Sequence, residues 1–166
     1  MRAKEEALAG WGRYPVITTR SFRPERVREA ATALGGFATG IARGLGRSYG
    51  DAALNPEAVV RTGRLNRFLD FDAETGRLTC EAGVSLDELL EVFVPRGWFV
   101  PVSPGTRWVT VGGCIACDVH GKDHHHASTF GRHVDSLRLL AGRGELLACS
   151  PEQHADLSGP PSAGWA

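Results

Sequence analysis

Short apolar runs separated by polar, glycine-bearing turns dominate this chain, and a helical period appears in only a few places. Arg23-Pro24-Glu25 opens the first helical stretch, with Val27, Ala30, Ala31 and Leu34 on one face and Gly35-Gly36 as its end. Phe37 to Ala42 reads as a short strand, and Val59-Val60 as the centre of another. Phe68 to Asp72 and Leu78 to Ala82 flank Ala73-Glu74-Thr75-Gly76, which predicts a β-hairpin. Ser85-Leu-Asp-Glu88 is a capping box, and Leu86, Leu89, Leu90 and Phe93 form the stripe of the helix it starts. Pro95-Arg96-Gly97 closes that helix, and Trp98 to Val102 is strand-like. Val134 to Leu140 and Glu145 to Cys149 predict a second hairpin around Ala141 to Gly144, and Pro151 to Leu157 a further helix start. Strands outnumber helices and alternate with them in short groups, which favours an α+β domain.

Composition narrows the function. The 166 residues carry 19 basic and 19 acidic side chains. A balanced charge supplies no field for polyanions, so nucleic acid is not an expected partner. Four cysteines do not make a disulfide scaffold in a chain of this length, which points to a reducing compartment. The N-terminal residues include acids and no apolar core, so no signal peptide is expected, and no apolar run is long enough to span a bilayer. The expected location is cytoplasmic. The 21 glycines, about twice the usual ~7%, cluster in a few loops.

Two of those loops carry candidate chemistry. Arg43-Gly-Leu-Gly-Arg-Ser-Tyr-Gly-Asp51 follows a strand, and its small residues let successive N–H groups converge on an anion, with Arg43 and Arg47 adding charge. It is neither a Walker loop nor a Rossmann fingerprint. Pro104-Gly105-Thr106 and Thr110-Val-Gly-Gly113 form the second backbone-exposing segment. Together they suit a dinucleotide, whereas Gly112-Gly113 alone would suit tight packing of Ile115-Ala116. A competing reading takes Cys114, Cys117, His120 and His124 as zinc ligands in a small interaction module, although the middle spacing is far shorter than in common fingers. Gly10-Trp11-Gly12-Arg13-Tyr14-Pro15 reads equally as a lead-in or as a cover over a ligand.

Taken jointly, Arg43 to Asp51, Pro104-Gly-Thr-Arg107 and Thr110-Val-Gly-Gly-Cys-Ile-Ala-Cys-Asp-Val-His-Gly-Lys122 resemble the FAD-binding domain of vanillyl-alcohol-oxidase/p-cresol-methylhydroxylase-type flavoenzymes. Within that group the likeness is to the branch of decaprenylphosphoryl-β-D-ribose 2′-oxidase and the sugar and aldonolactone oxidases. It implies a two-subdomain α+β fold with FAD held between the subdomains. Ala42, Arg43, Gly44, Leu45, Gly46, Arg47, Ser48, Tyr49, Gly50 and Asp51 would wrap the diphosphate. Gly105, Thr110, Val111, Gly112, Gly113, Cys117, His120 and Gly121 would line the rest, with no metal. Tyr49 stands where many relatives carry a flavin-linked histidine, which implies non-covalent FAD. His120 and Lys122 would be the catalytic pair facing a sugar hydroxyl, with hydride transfer from the carbinol to flavin N5. A lipid-linked sugar would imply peripheral contact with the inner membrane.

The resemblance implies three segments: a lead-in over 1–20, a partial FAD-binding domain over 21–157, and an aberrant tail over 158–166. Ser158-Gly-Pro-Pro-Ser-Ala-Gly-Trp-Ala166 departs from the family's glycine-rich continuation, and one base restored ahead of it would return that continuation. The tail is therefore expected to be a frameshift product and the domain incomplete at its C-terminus, and resequencing the locus tests this.

Overall fold

The computed structural model describes residues 2–142 and 144–154, which form two lobes. The first lobe contains β1 (Lys4–Ala9), β2 (Val16–Phe22), β3 (Ile41–Arg43) and β4 (Ala58–Arg61) in one sheet of order β1-β2-β4-β3. β1 runs antiparallel to β2, from Lys4 opposite Ser21 to Ala9 opposite Val16, while β2 and β3 each pair parallel with β4. The helix α1 (Val27–Leu34) connects β2 to β3, and Phe22, Ala33 and Ala58 form the core beneath it. Its buried face is Ala30 and Ala33, while Val27 is 40% exposed.

The stretch expected as a lead-in over 1–20 is instead a strand pair, and residue 20 lies within β2. Lys-Glu-Glu-Ala-Leu-Ala has little β-propensity of its own, and the ladder with the β-branched Val-Ile-Thr-Thr of β2 holds it extended. The strand expected from Phe37 to Ala42 shrinks to Ile41–Arg43. The Glu57 carboxylate accepts from the Ala38 and Thr39 amides at 3.0 and 2.9 Å, so those groups bond a side chain rather than a strand. Trp98 to Val102 is likewise no strand. Trp98 N donates to Phe93 O at 3.0 Å, its ring packs against Phe71, and Pro101 has no N–H to give a ladder.

The second lobe begins with the predicted hairpin, β5 (Phe68–Asp72) and β6 (Arg77–Cys80), turning at Gly76 with φ +72°. α2 (Leu86–Phe93) starts at the expected capping box: Ser85 Oγ accepts from Glu88 N, and the Glu88 carboxylate accepts from Ser85 N. Such an N-cap stabilises a helix by about 1 kcal/mol. Gly97, at φ +85°, ends the turn that follows. Two short helices come next, α3 (Val111–Ala116) and α4 (His124–Ala127), then the hairpin of β7 (Leu137–Leu140) and β8 (Leu146–Cys149). Val84, Leu86, Leu89, Val102, Cys114 and Phe130 make this lobe's core. Leu90 and Phe93 of the expected stripe are half-buried, with the Phe93 ring against Phe68 and Phe71.

This is the α+β architecture that the pattern predicts, in the two lobes that the resemblance implies. Pro151 to His154 form a bend, closed by Gln153 N on Ser150 O, rather than a helix. The remainder of the helix expected to Leu157, and the tail 158–166, lie outside the described residues. Among the described residues no helix is long and apolar enough to cross a membrane.

Candidate cofactor site

β3 delivers Ala42 and Arg43 to the end of the parallel part of the sheet, where the chain leaves it as a loop from Gly44 to Asp51. Gly46 and Gly50 take left-handed φ of +70° and +55°, which bends the loop where a side chain would strain it. None of the backbone N–H groups from Leu45 to Asp51 donates to a protein acceptor among the described residues. Tyr49 is 76% exposed, and Leu45 is also exposed.

Arg43 does not face outward with this loop. It is buried, Nη1 donating to Ala53 O at 3.2 Å and Nη2 to Ala9 O at 2.6 Å. Burial, then repulsion from Arg61, lowers its pKa. Arg47 folds over the loop: Nη1 donates to Leu45 O at 2.6 Å, and its guanidinium carbon lies 5.0 Å from the centre of the Trp11 ring. The Gly10-Trp11 turn packs against the 44–51 loop. Trp11 N donates to Ser48 O at 2.8 Å, and a Cβ on Gly10 would lie 2.5 Å from Gly50 O.

The second segment behaves differently. Residues 111–116 are the helix α3, and Thr110 is its N-cap. Val111 N donates to Val84 O at 2.8 Å, Gly112 N to Ala82 O at 2.8 Å, and Gly113 N to Thr110 Oγ1 at 3.2 Å. A Cβ on Gly112 would meet the Ala82 side chain at 2.9 Å, and one on Gly121 would meet Ser103 O at 2.7 Å. These two glycines answer close packing of the chain on itself. Only at Gly105 does a missing side chain face open space in this segment.

The two segments come together at Gly44, where an added Cβ would strike Thr110 Oγ1. His120 is exposed, its Nδ1 3.3 Å from Gly121 O and its ring 5.3 Å from that of His124. Lys122 and Cys117 are also exposed. No hydrogen bond or ring contact joins His120 or Lys122 to the 44–51 loop among the described residues. An open cleft lined by Glu25, Arg26, Arg64 and Arg67 contains none of the expected site residues.

The zinc reading finds no convergence of ligands. Among the described residues no group of three or more His, Cys, Asp or Glu is placed to hold a metal ion. Cys114 is fully buried, and burial, with Cys117 beside it, pushes its thiol up to about 12. Burial likewise pushes Cys80 up to about 11. Thiols held protonated in this way act as small packing residues.

A row of N–H groups without protein acceptors among the described residues, two left-handed glycines and the guanidinium packed against Gly46 make this loop a candidate backbone cradle for an anion. A family profile described as "FAD binding domain" matches residues 25–150. The chain belongs to this FAD-binding family. It is 47% identical over 150 residues to decaprenylphosphoryl-beta-D-ribose oxidase of Mycolicibacterium smegmatis, covering 87% of this chain and 33% of that protein. It is 31% identical over 114 residues to L-gulonolactone oxidase of Mus musculus, covering 69% of this chain and 26% of that one. A solved structure, a variant of Physcomitrella patens BBE-like 1, shares the fold with a TM-score of 0.71 at 18% identity, covering 86% of this chain and 31% of its own. The chain thus spans about a quarter to a third of the length of these relatives.

Proposed function

We propose that this chain is the flavin-binding part of an FAD-dependent oxidoreductase that oxidises a carbinol of a sugar or aldonolactone. The observation that carries the reading is the Leu45–Asp51 loop, whose N–H groups find no protein acceptor among the described residues while Gly46 and Gly50 shape it. FAD, when bound, supplies the hydride acceptor. The chain's own residues bind and orient: the loop N–H groups hold the diphosphate, and the Gly10-Trp11 turn closes one side. Tyr49 in the position of the family's linking histidine supports non-covalent attachment. His120 accepts the hydroxyl proton, and Lys122 steadies the substrate oxygen. Both are exposed and free to meet a substrate that the rest of a longer protein would help to enclose.

The names of the relatives support a ribose- or lactone-like substrate. A lipid-linked sugar would bring a cytoplasmic enzyme against the inner membrane without a spanning helix. The test is titration of the purified chain with FAD, followed by flavin absorbance and fluorescence. Saturable binding, with all flavin released by acid, is expected, and binding should be lost in Gly46→Val. Absence of saturable binding refutes the reading. A flavin-binding fragment without turnover is the second reading, favoured by the chain's one-third span of its relatives. Bound flavin that no sugar alcohol reduces would select it.

A further inference from the structure

Arg43 is in sequence a cation at the mouth of a glycine loop, and in the structure it is a brace beneath that loop. It is 9% exposed, and its two terminal nitrogens donate to Ala9 O at the end of β1 and Ala53 O beyond the loop's exit. A third point of contact is the bend of the loop. A Cβ on Gly46 would strike Nη2 and lie 2.9 Å from Cζ, so the guanidinium fills the space beside Gly46 where a side chain would go. One planar group thus touches the end of β1, the left-handed turn at Gly46 and the segment leaving the loop. A lysine has no rigid fork to meet three such points.

The loop needs this support because it has little of its own. Its N–H groups from Leu45 to Asp51 donate to no protein acceptor among the described residues, and Trp11 N on Ser48 O is the bond that ties it to the N-terminal turn. Within the loop and at its exit, Arg47 Nη1 on Leu45 O, Ala52 N on Tyr49 O and Leu54 N on Asp51 O orient some of its peptide planes. The guanidinium below and the Gly10-Trp11 turn beside it complete the support.

We propose that Arg43 is a positioning residue that acts through the loop, holding its N–H groups convergent for a diphosphate without touching the ligand. The proposal rests on the flavin reading of the site and makes a distinction which that reading does not. Loss of the brace should weaken ligands that carry the diphosphate and spare those that lack it.

The test compares the whole chain with Arg43→Met, Arg43→Lys and Gly46→Ala. FAD and riboflavin are titrated separately, and amide hydrogen exchange is followed without flavin. Arg43→Met and Gly46→Ala should lower FAD affinity about tenfold or more, the scale of one charge-assisted hydrogen bond. Riboflavin affinity should stay within about twofold, and Arg43→Lys should fall between wild type and Arg43→Met. The amide of Trp11 should exchange about tenfold faster in Arg43→Met, while amides of the second lobe such as Gly97 are unchanged. Equal losses for FAD and riboflavin, or protection lost across both lobes in all three variants, would overturn the proposal and make Arg43 a general folding determinant. If wild type binds no FAD, the flavin reading fails by itself. Exchange at Trp11 then decides the brace alone, and an unchanged rate in Arg43→Met refutes it.

Discussion

Gly44→Ala is the sharpest test of the seam between the two lobes. Gly44 does not carry a left-handed φ, so alanine meets no backbone penalty there and the effect is one of contact. The added Cβ would strike Thr110 Oγ1 and lie 3.0 Å from its Cγ2 and 3.3 Å from its Cβ. Thr110 is 2% exposed and its Oγ1 accepts from Gly113 N, so the side chain has no free rotamer to retreat into without uncapping α3. Forcing a methyl into such a contact costs about 1–3 kcal/mol, and losing the cap about 1 more. The sum, about 2–4 kcal/mol, is a large part of an ordinary domain's stability. Urea unfolding followed by circular dichroism reads it as a lower midpoint at unchanged slope. The decisive measurement is the cycle with Thr110→Ala. That substitution alone costs about 1 kcal/mol for the cap, yet it removes the atoms the new methyl would strike. The double variant should therefore be more stable than the summed single losses by about 2–4 kcal/mol. Additivity within about 0.5 kcal/mol refutes the contact.

Two further outcomes follow from the electrostatics and the cysteines. Burial alone would raise the Glu6 carboxyl, but the adjacent Ser21 hydroxyl and the Arg61 and Arg23 guanidiniums outweigh it and bring the pKa to about 2. Arg23 and Arg61 lie 2.8 and 3.1 Å from its oxygens. A depressed carboxylate pKa contributes stability that is full above its unfolded value of 4.5 and is lost as pH falls towards 2. Wild type should exceed Glu6→Gln by about 1–2 kcal/mol at neutral pH, discounted for solvent screening, with the gap closing between those two values. A gap that does not change with pH refutes the linkage. For the thiols, a maleimide should modify exposed Cys117 in the native chain, while buried Cys114 and Cys149 react only after unfolding. Mass spectrometry reads the order, and early labelling of Cys114 contradicts the packing described above.

Features fixed within a few neighbouring residues were legible in the sequence. Ser85 and Glu88 cap each other, and Gly76 turns its hairpin, because both depend on residues three or four positions apart. Non-local partners decided the rest. Residues 4–9 have no strand signature and are strands only through β2, while residues 38–39 are held by a carboxylate 18 positions or more away in the chain. At the site, the sequence located the loop of Gly44 to Asp51 but not the inward turn of Arg43, since its acceptors, Ala9 O and Ala53 O, are backbone atoms that no side-chain pattern reports.

The same limit separates the two glycine segments, which are alike in composition and differ in what their backbones meet. A glycine permits close approach without saying what approaches. After β3 the chain passes into a loop whose N–H groups from Leu45 to Asp51 meet no protein acceptor among the described residues and remain available to a ligand. After Thr110 the chain runs beside residues 82–84, whose Ala82 and Val84 carbonyls accept the first N–H groups of α3, and Thr110 itself accepts the next. An anion at that helix start would have to displace three protein acceptors, so a ligand spanning both segments would be held through N–H groups at the first alone. At the second it would meet shape: the open face of Gly105, the exposed Cys117 and the exposed imidazole of His120. Charge recognition at one end and surface contact at the other is a division that suits a ligand with a diphosphate on one side and a flat, mostly uncharged ring on the other.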